Sequence, residues 1–179
     1  MNSINLKSVI FFIIIVSFPF PGQCQGTDHE SFSDPQILIP AAKEIMNEAG
    51  TCALITLDED GSPRARTMDP FAPESDLTVW FGTNPNSRKV SQIKGDPRVT
   101  LYYLAPDESG YVTIQGVAQL VDDPEQLENR WKEEWEPFYP DWPEGYLLIK
   151  VSPRVLEVVS YPHGLNGDSI TWQPPGLEF

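Results

Sequence analysis

The sequence predicts a mainly β protein: an antiparallel barrel, closed or partly open, of about six or seven strands with about three helices inserted between them. Three observations point there. Runs rich in apolar and β-branched residues follow one another through short polar turns, without the regular crossover helices that a parallel sheet needs. Segments with helical spacing are few, and Asp-Pro starts or Gly and Pro stops bound them. At 179 residues, 40% hydrophobic and 11% aromatic, the chain amounts to one domain able to bury a sizeable core.

The first 24 residues stand apart from that core. Lys7 gives a short positive start, residues 9–20 form an apolar run of signal-peptide length, and Gly22 and Cys24 are small residues at the spacing a signal peptidase accepts. The expectation is a signal peptide over 1–24, a mature chain beginning at Gln25, and export to the periplasm or the extracellular space. A lipoprotein reading would keep Cys24 as the acylated residue; it is the weaker one, because the aliphatic residue expected upstream is missing and Gln23 precedes the cysteine. The apolar run is shorter than the roughly 20 residues needed to cross a bilayer and is broken by Pro19 and Pro21, so no stable membrane span is expected after cleavage. Cleavage leaves Cys52 as the one cysteine, and an internal disulfide is then excluded.

Residues 25–34 are polar and are expected to form a flexible leader; the barrel domain is expected over 35–160. Asp34-Pro35 is a helix start, and Ile37, Leu38, Ala41, Ala42, Ile45, Met46 and Ala49 recur at three-and-four spacing up to Gly50, with Pro40 as a candidate bend. Residues 51–57 and 62–68 flank the turn Asp58-Glu59-Asp60-Gly61 and predict a β-hairpin. A short strand over 77–81 leads through a loop of Gly, Asn and Pro into a helix over 87–94, which Ser87 and Asn86 can cap and Gly95 and Pro97 end. Residues 98–104 and 111–121 predict two more strands. Beyond them, Leu127, Trp131, Trp135 and Phe138 recur at four-, four- and three-residue spacing; one buried helix face is the simplest reading, an aromatic ligand cage the sharper one. Strands over 146–151 and 155–160 complete the barrel. Residues 161–179, with three prolines and three glycines around Trp172, are expected to pack on it as a tail.

Charge singles out one segment. In a chain of formal net charge -14, residues 64–98 hold six of the twelve Lys and Arg: Arg64, Arg66, Arg88, Lys89, Lys94 and Arg98. Arginine donates forked hydrogen bonds to phosphate, lysine adds a point charge, and hydroxyl residues at a turn into a helix supply further donors. Arg88 and Lys89 at a helix start oppose the helix dipole, at a cost of a few tenths to about 1 kcal/mol unless an anion sits there. A small phosphorylated ligand accounts for the pattern. A nucleic-acid partner does not, since a polyanion needs a broad basic face that so acidic a chain lacks. With only His29, His163 and Cys52 outside the signal segment, no zinc site and no Cys-His pair has workable spacing. Asp122/Asp123 and Glu133/Glu134 read as a cap and a solvated face. A catalytic residue of the chain's own is therefore not identified; a cofactor would carry any chemistry.

In their order and spacing, the run Asp58 through Arg64-Ala65-Arg66-Thr67-Met68, then Thr83, then Ser87-Arg88-Lys89 on to Val99, and then Val112 to Leu120 with small residues at Gly116 and Ala118 resemble the FMN-binding split barrels of the pyridoxamine 5'-phosphate oxidase-like family, especially its general stress protein 26-type branch. The resemblance covers residues 36–160. It implies a six- to seven-stranded antiparallel split β-barrel with Greek-key order, FMN as cofactor, and a homodimer with two flavin sites at the subunit interface. In the family, the strand matching Arg64, Arg66, Thr67 and Met68 lies along the flavin and ribityl chain, its leading arginine reaching the phosphate, with Arg64 and Thr67 as the candidates for these contacts here. Thr83 matches a residue near the isoalloxazine edge, and Ser87, Arg88 and Lys89 match the phosphate clamp. FAD, a deazaflavin or haem are the alternative ligands. Tyr111 and Val159 replace a Gln and a Trp of true pyridoxamine phosphate oxidases, and the Arg-rich C-terminal substrate motif is missing, so oxidation of vitamin B6 is not expected. The implied function is an exported, oxidoreductase-like FMN protein. The alternatives are a non-enzymatic binding module for a flavin or another phosphorylated ligand, or a barrel whose clamp is vestigial. The tail pattern around His163 and Trp172 has no assigned role; His163 reads as structural, with a ligand-facing donor as the sharper reading.

Overall fold

The computed structural model describes residues 33–179. The expected signal peptide and most of the expected leader lie outside the described residues. Helix α1, Pro35–Ala49, starts where the Asp34 side chain accepts from Gln36 N, and stops where Gly50 takes a left-handed φ of 64°. Pro40 is accommodated within it without ending it, on the exposed side, while Leu38, Ala41, Ala42, Ile45 and Met46 are buried. The apolar spacing thus sets the face that packs on the sheet.

Strands β1 (Cys52–Leu57) and β2 (Pro63–Met68) form the predicted hairpin, and β3 (Val79–Thr83) leads through a short loop to α2 (Arg88–Gly95). Strands β4 (Arg98–Leu104) and β5 (Gly110–Val121), helix α3 (Pro124–Asn129), a 3-10 helix over Glu133–Phe138, and strands β6 (Leu147–Ser160) and β7 (Gly176–Glu178) follow. The sheet runs β2-β1-β4-β5-β6-β3 with every pairing antiparallel, and β7 adds to β6. The non-sequential neighbours β1-β4 and β3-β6 supply the barrel's crossovers. Alternation separates two faces: Leu54, Val99, Leu101, Tyr103, Val112, Ile114, Leu156 and Val158 point in with the buried side of α1, forming the main core.

Two elements differ from the expectation. The strands expected over 146–151 and 155–160 are one continuous β6, because a register shift at Gln115/Gly116 absorbs the interruption at Pro153, which cannot donate to the ladder. Gly116 is small for a reason: a Cβ there would meet Ser152 O at 2.6 Å. The aromatic stripe is not a single helix face. Helix α3 ends at Asn129 and the chain re-enters as the 3-10 helix, whose turn of three residues breaks the spacing and leaves Phe138 74% exposed. Trp131 and Trp135 instead join Trp80, Tyr139, Trp142 and Tyr146 in a second apolar cluster over the outer side of β3. Several of its polar atoms bond to neighbouring residues: Trp135 Nε1 donates to Asp69, Trp80 Nε1 donates to Glu74, Tyr146 Oη donates to Arg130 O, and the Arg130 guanidinium lies 3.9 Å over the Trp80 ring. Its packing is that of a structural cluster.

The tail is held by Leu165, buried in the main core, and by β7. His163 bridges tail and helix, its Nδ1 2.8 Å from Ser160 Oγ and its Nε2 3.5 Å from Glu44. Among the described residues, no helix is long and apolar enough to cross a membrane.

Candidate functional site

Strand β2 brings its cations to the barrel by alternation. Arg64, Arg66 and Met68 stand opposite Thr56, Leu54 and Cys52, the buried side of β1, whereas Ala65 and Thr67 stand opposite Ile55 and Ala53 on the outer face. Helix α2 lies against β1 on the buried side, so Arg66 meets α2. Its Nη1 donates to Leu54 O at 3.1 Å and Thr56 Oγ1 at 2.7 Å, and its Nη2 donates to Gln92 Oε1 at 3.0 Å.

The loop after β3 and the first turn of α2 supply the rest. Lys89 Nζ donates to Thr83 Oγ1 at 2.9 Å, and Thr83 Oγ1 lies 3.2 Å from Ser87 Oγ. Ser87 holds the N-cap position, but neither its side chain nor that of Asn86 caps the backbone of α2; Asn86 N instead donates to the Asn84 side chain. The hydroxyl lies beside Thr83 Oγ1, and the helix start keeps its positive end.

Arg66, Arg88 and Lys89 converge without a carboxylate partner among the described residues. Burial, and secondarily the charge of Arg88, holds Arg66 below the usual guanidinium range. Burial, and secondarily the charge of Arg66, likewise lowers Lys89. Arg66 and Lys89, half-buried, with exposed Arg88 beside Arg66, make a site of like charge that an anion relieves.

The sequence-predicted residues divide accordingly. Arg66, Thr83, Ser87, Arg88 and Lys89 come together. Arg64 turns to Asp58 at 2.9 Å, Met68 packs on the main core, and Thr67 points to the opposite face of β2. Sequence reasoning missed Thr56 and Gln92. Both are buried, 0% and 5% exposed, with Thr56 Oγ1 donating to Gln92 Oε1 at 2.7 Å. The available signal was a polar side chain beside Val90 and Ile93 on the inward side of α2. Gln92 Nε2 also donates to Asp58 at 3.3 Å, and that bond, followed by the Arg64 contact, lowers the Asp58 carboxyl.

Tyr111 and Val159, the two departures, face each other across β5 and β6 on the outer face, where Tyr111 stacks on Tyr102 at 5.7 Å. The described residues hold no group of His, Cys, Asp and Glu able to seat a metal ion.

The model of the family "Pyridoxamine 5'-phosphate oxidase like" matches residues 40–159. The chain belongs to this family. The pyridoxamine 5'-phosphate oxidase-like match covers every strand from β1 to β5, nearly all of β6, and the whole cation cluster, and it stops before the tail. Among solved structures, general stress protein 26 from Bacillus anthracis str. Sterne is 22% identical over 68% of this chain and 93% of its own, with a TM-score of 0.59. A structure named F420 reductase is 20% identical over 64% of this chain and 94% of its own, TM-score 0.53. A heme binding protein from Mycobacterium smegmatis is 18% identical over 66% of this chain and 52% of its own, TM-score 0.55. At these identities the likeness is one of fold, and the fold is the split barrel. No curated protein matches the chain.

Proposed function

We propose that this chain is an exported, oxidoreductase-like flavoprotein that binds FMN through its phosphate, as a homodimer. The observation that carries the reading is the convergence of Arg66, Arg88 and Lys89, without a carboxylate, at the uncapped start of α2. The donor set fits a phosphate monoester: a guanidinium, an ammonium, the Ser87 hydroxyl and the first N–H groups of a helix. A monoester carries close to two negative charges at neutral pH, which answers this excess better than one diester phosphate does. Arg66, Ser87, Arg88 and Lys89 would hold the phosphate, and Thr83 would position Lys89. FMN, when bound, would supply the redox chemistry; the protein orients it and tunes it through these donors.

The outer face supports the homodimer. Ala53, Ile55, Tyr102, Leu104, Tyr111 and Val155 share it, with Tyr102 38% and Leu104 47% exposed, and a shallow cleft of about 400 Å3 opens at its edge between Ile55 and Val155, with Arg98 and Arg154 also on its lining. Thr67 lies on this face, so its contact to a flavin would be made across the interface. The signal-like first 24 residues support export.

The test is titration of the purified protein with FMN and riboflavin, followed by flavin fluorescence and melting temperature. Saturable FMN binding is expected, and replacing Arg88 and Lys89 together by Ala weakens FMN at least about tenfold while leaving riboflavin nearly unchanged, because charged hydrogen bonds are the strong ones. Equal loss of both ligands would refute the clamp. FAD, F420 and haem in the same assay separate the alternative ligands, and turnover with a nicotinamide donor separates an enzyme from a carrier.

A further inference from the structure

We infer that Gln92, held by Asp58 and supported by Thr56, is the positioning residue that turns one edge of the Arg66 guanidinium toward the ligand and so determines the preference for a phosphorylated one. The inference rests on the phosphate reading of the cation cluster and adds to it a residue that does not touch the phosphate.

The geometry is one of donors spent and donors left. A guanidinium has five N–H groups in a planar fork. Both hydrogens of Arg66 Nη1 are committed, to Leu54 O and Thr56 Oγ1, and one of Nη2 to Gln92 Oε1. The Thr56 and Gln92 oxygens lie 2.7 Å apart and take the end of the fork. What remains is Nε–H and one Nη2–H, which leave the same side of the guanidinium in parallel. That pair matches two oxygens of one phosphate.

Gln92 can serve because its amide is oriented. Its Nε2 donates to Asp58 Oδ1, which requires its carbonyl to face Arg66, and Asp58 Oδ2 is held by Arg64 Nε at 2.9 Å. Arg64 thus acts two residues removed from the cluster, through Asp58 and Gln92. Gln92 and Thr56 are both buried, so water does not compete for these bonds. A carboxylate at position 92 would hold Arg66 as firmly but neutralise it; the uncharged amide fixes the guanidinium and leaves its charge for the ligand.

The test compares FMN and riboflavin affinities of the full protein and three variants. Gln92→Met keeps the volume and removes both hydrogen bonds. It should weaken FMN about tenfold and leave riboflavin within about twofold, a split that a general loss of structure does not produce. Arg66→Lys, which keeps the charge but has no fork, should lose a similar amount, and Gln92→Met added to it should cost nothing further. If Gln92→Met does not fold, Thr56→Val, which removes only a hydroxyl, gives the same split. The inference is overturned if Gln92→Met and Thr56→Val leave FMN affinity intact, or if Gln92→Met weakens FMN by the same factor in the Arg66→Lys background as alone. Either result with the Arg88, Lys89 double variant still selective against FMN leaves the phosphate reading standing. A wild-type protein that binds both flavins equally overturns both.

Discussion

Cys52 shows how a residue's chemistry follows from where the chain puts it. It is 4% exposed beside Tyr103, and burial pushes its thiol up from 9.0 to about 12. The same burial raises the Tyr103 phenol. The thiol is neutral at physiological pH and unreactive, so mass spectrometry after maleimide treatment at pH 8 should find Cys52 unlabelled in the native protein and labelled in denaturant. Labelling of the native state would contradict the burial. The sign of the linkage follows: the folded state keeps a proton that the unfolded chain loses above pH 9.0, so this stability is full below that pH and declines as pH rises toward about 12. Cys52→Val should flatten that alkaline decline in unfolding experiments.

At the scale of elements, β3 and α2 carry opposite lessons. Strand β3 is buried on both sides, between the main core and the aromatic cluster, and Gly82 is where that cluster comes closest. A Cβ there would fall 2.4 Å from Trp135 and 2.6 Å from Tyr146. Gly82→Ala should therefore destabilise by about 1–3 kcal/mol in urea unfolding; a neutral change would mean that the cluster gives way freely. Helix α2 is built against its own dipole, with Arg88 and Lys89 in its first turn, no acidic residue there, and no side-chain cap. Arg88→Ala should accordingly raise the stability of the ligand-free protein by about 0.3–1 kcal/mol while weakening FMN. A fall in both would indicate that Arg88 is structural.

For the whole molecule, the outer sheet face is where the proposed homodimer would form. Tyr102 and Tyr111 stack there beside exposed Leu104, and a second copy would bury them. Tyr102→Glu, which sets a charge in that place, should convert a dimer into a monomer by light scattering, with looser FMN binding if the partner completes the site. A wild-type protein that is monomeric at micromolar concentration would remove the homodimer from the proposal.

What the sequence by itself determined is local and periodic. Alternation of apolar residues placed β1, β4 and β5, Asp-Pro and Gly signals bounded α1, and the order of the basic motifs identified the family and most of the cation cluster. These were legible because side-chain period, capping and turn chemistry are properties of neighbouring residues. Tertiary structure decided the rest. The pairing of β1 with β4 and of β3 with β6 brought residues 54–56, 66 and 83–92 into one place. The register of β2 separated Arg66 from Thr67, though they are adjacent in the chain. The break after Asn129 turned a presumed helix stripe into a cluster, with Trp135 buried and Trp131 partly buried against Trp80 of β3 and Tyr146. Gln92 was least legible of all: its significance lies in hydrogen bonds to residues 36, 34 and 26 positions away, and only the fold brings those groups within reach.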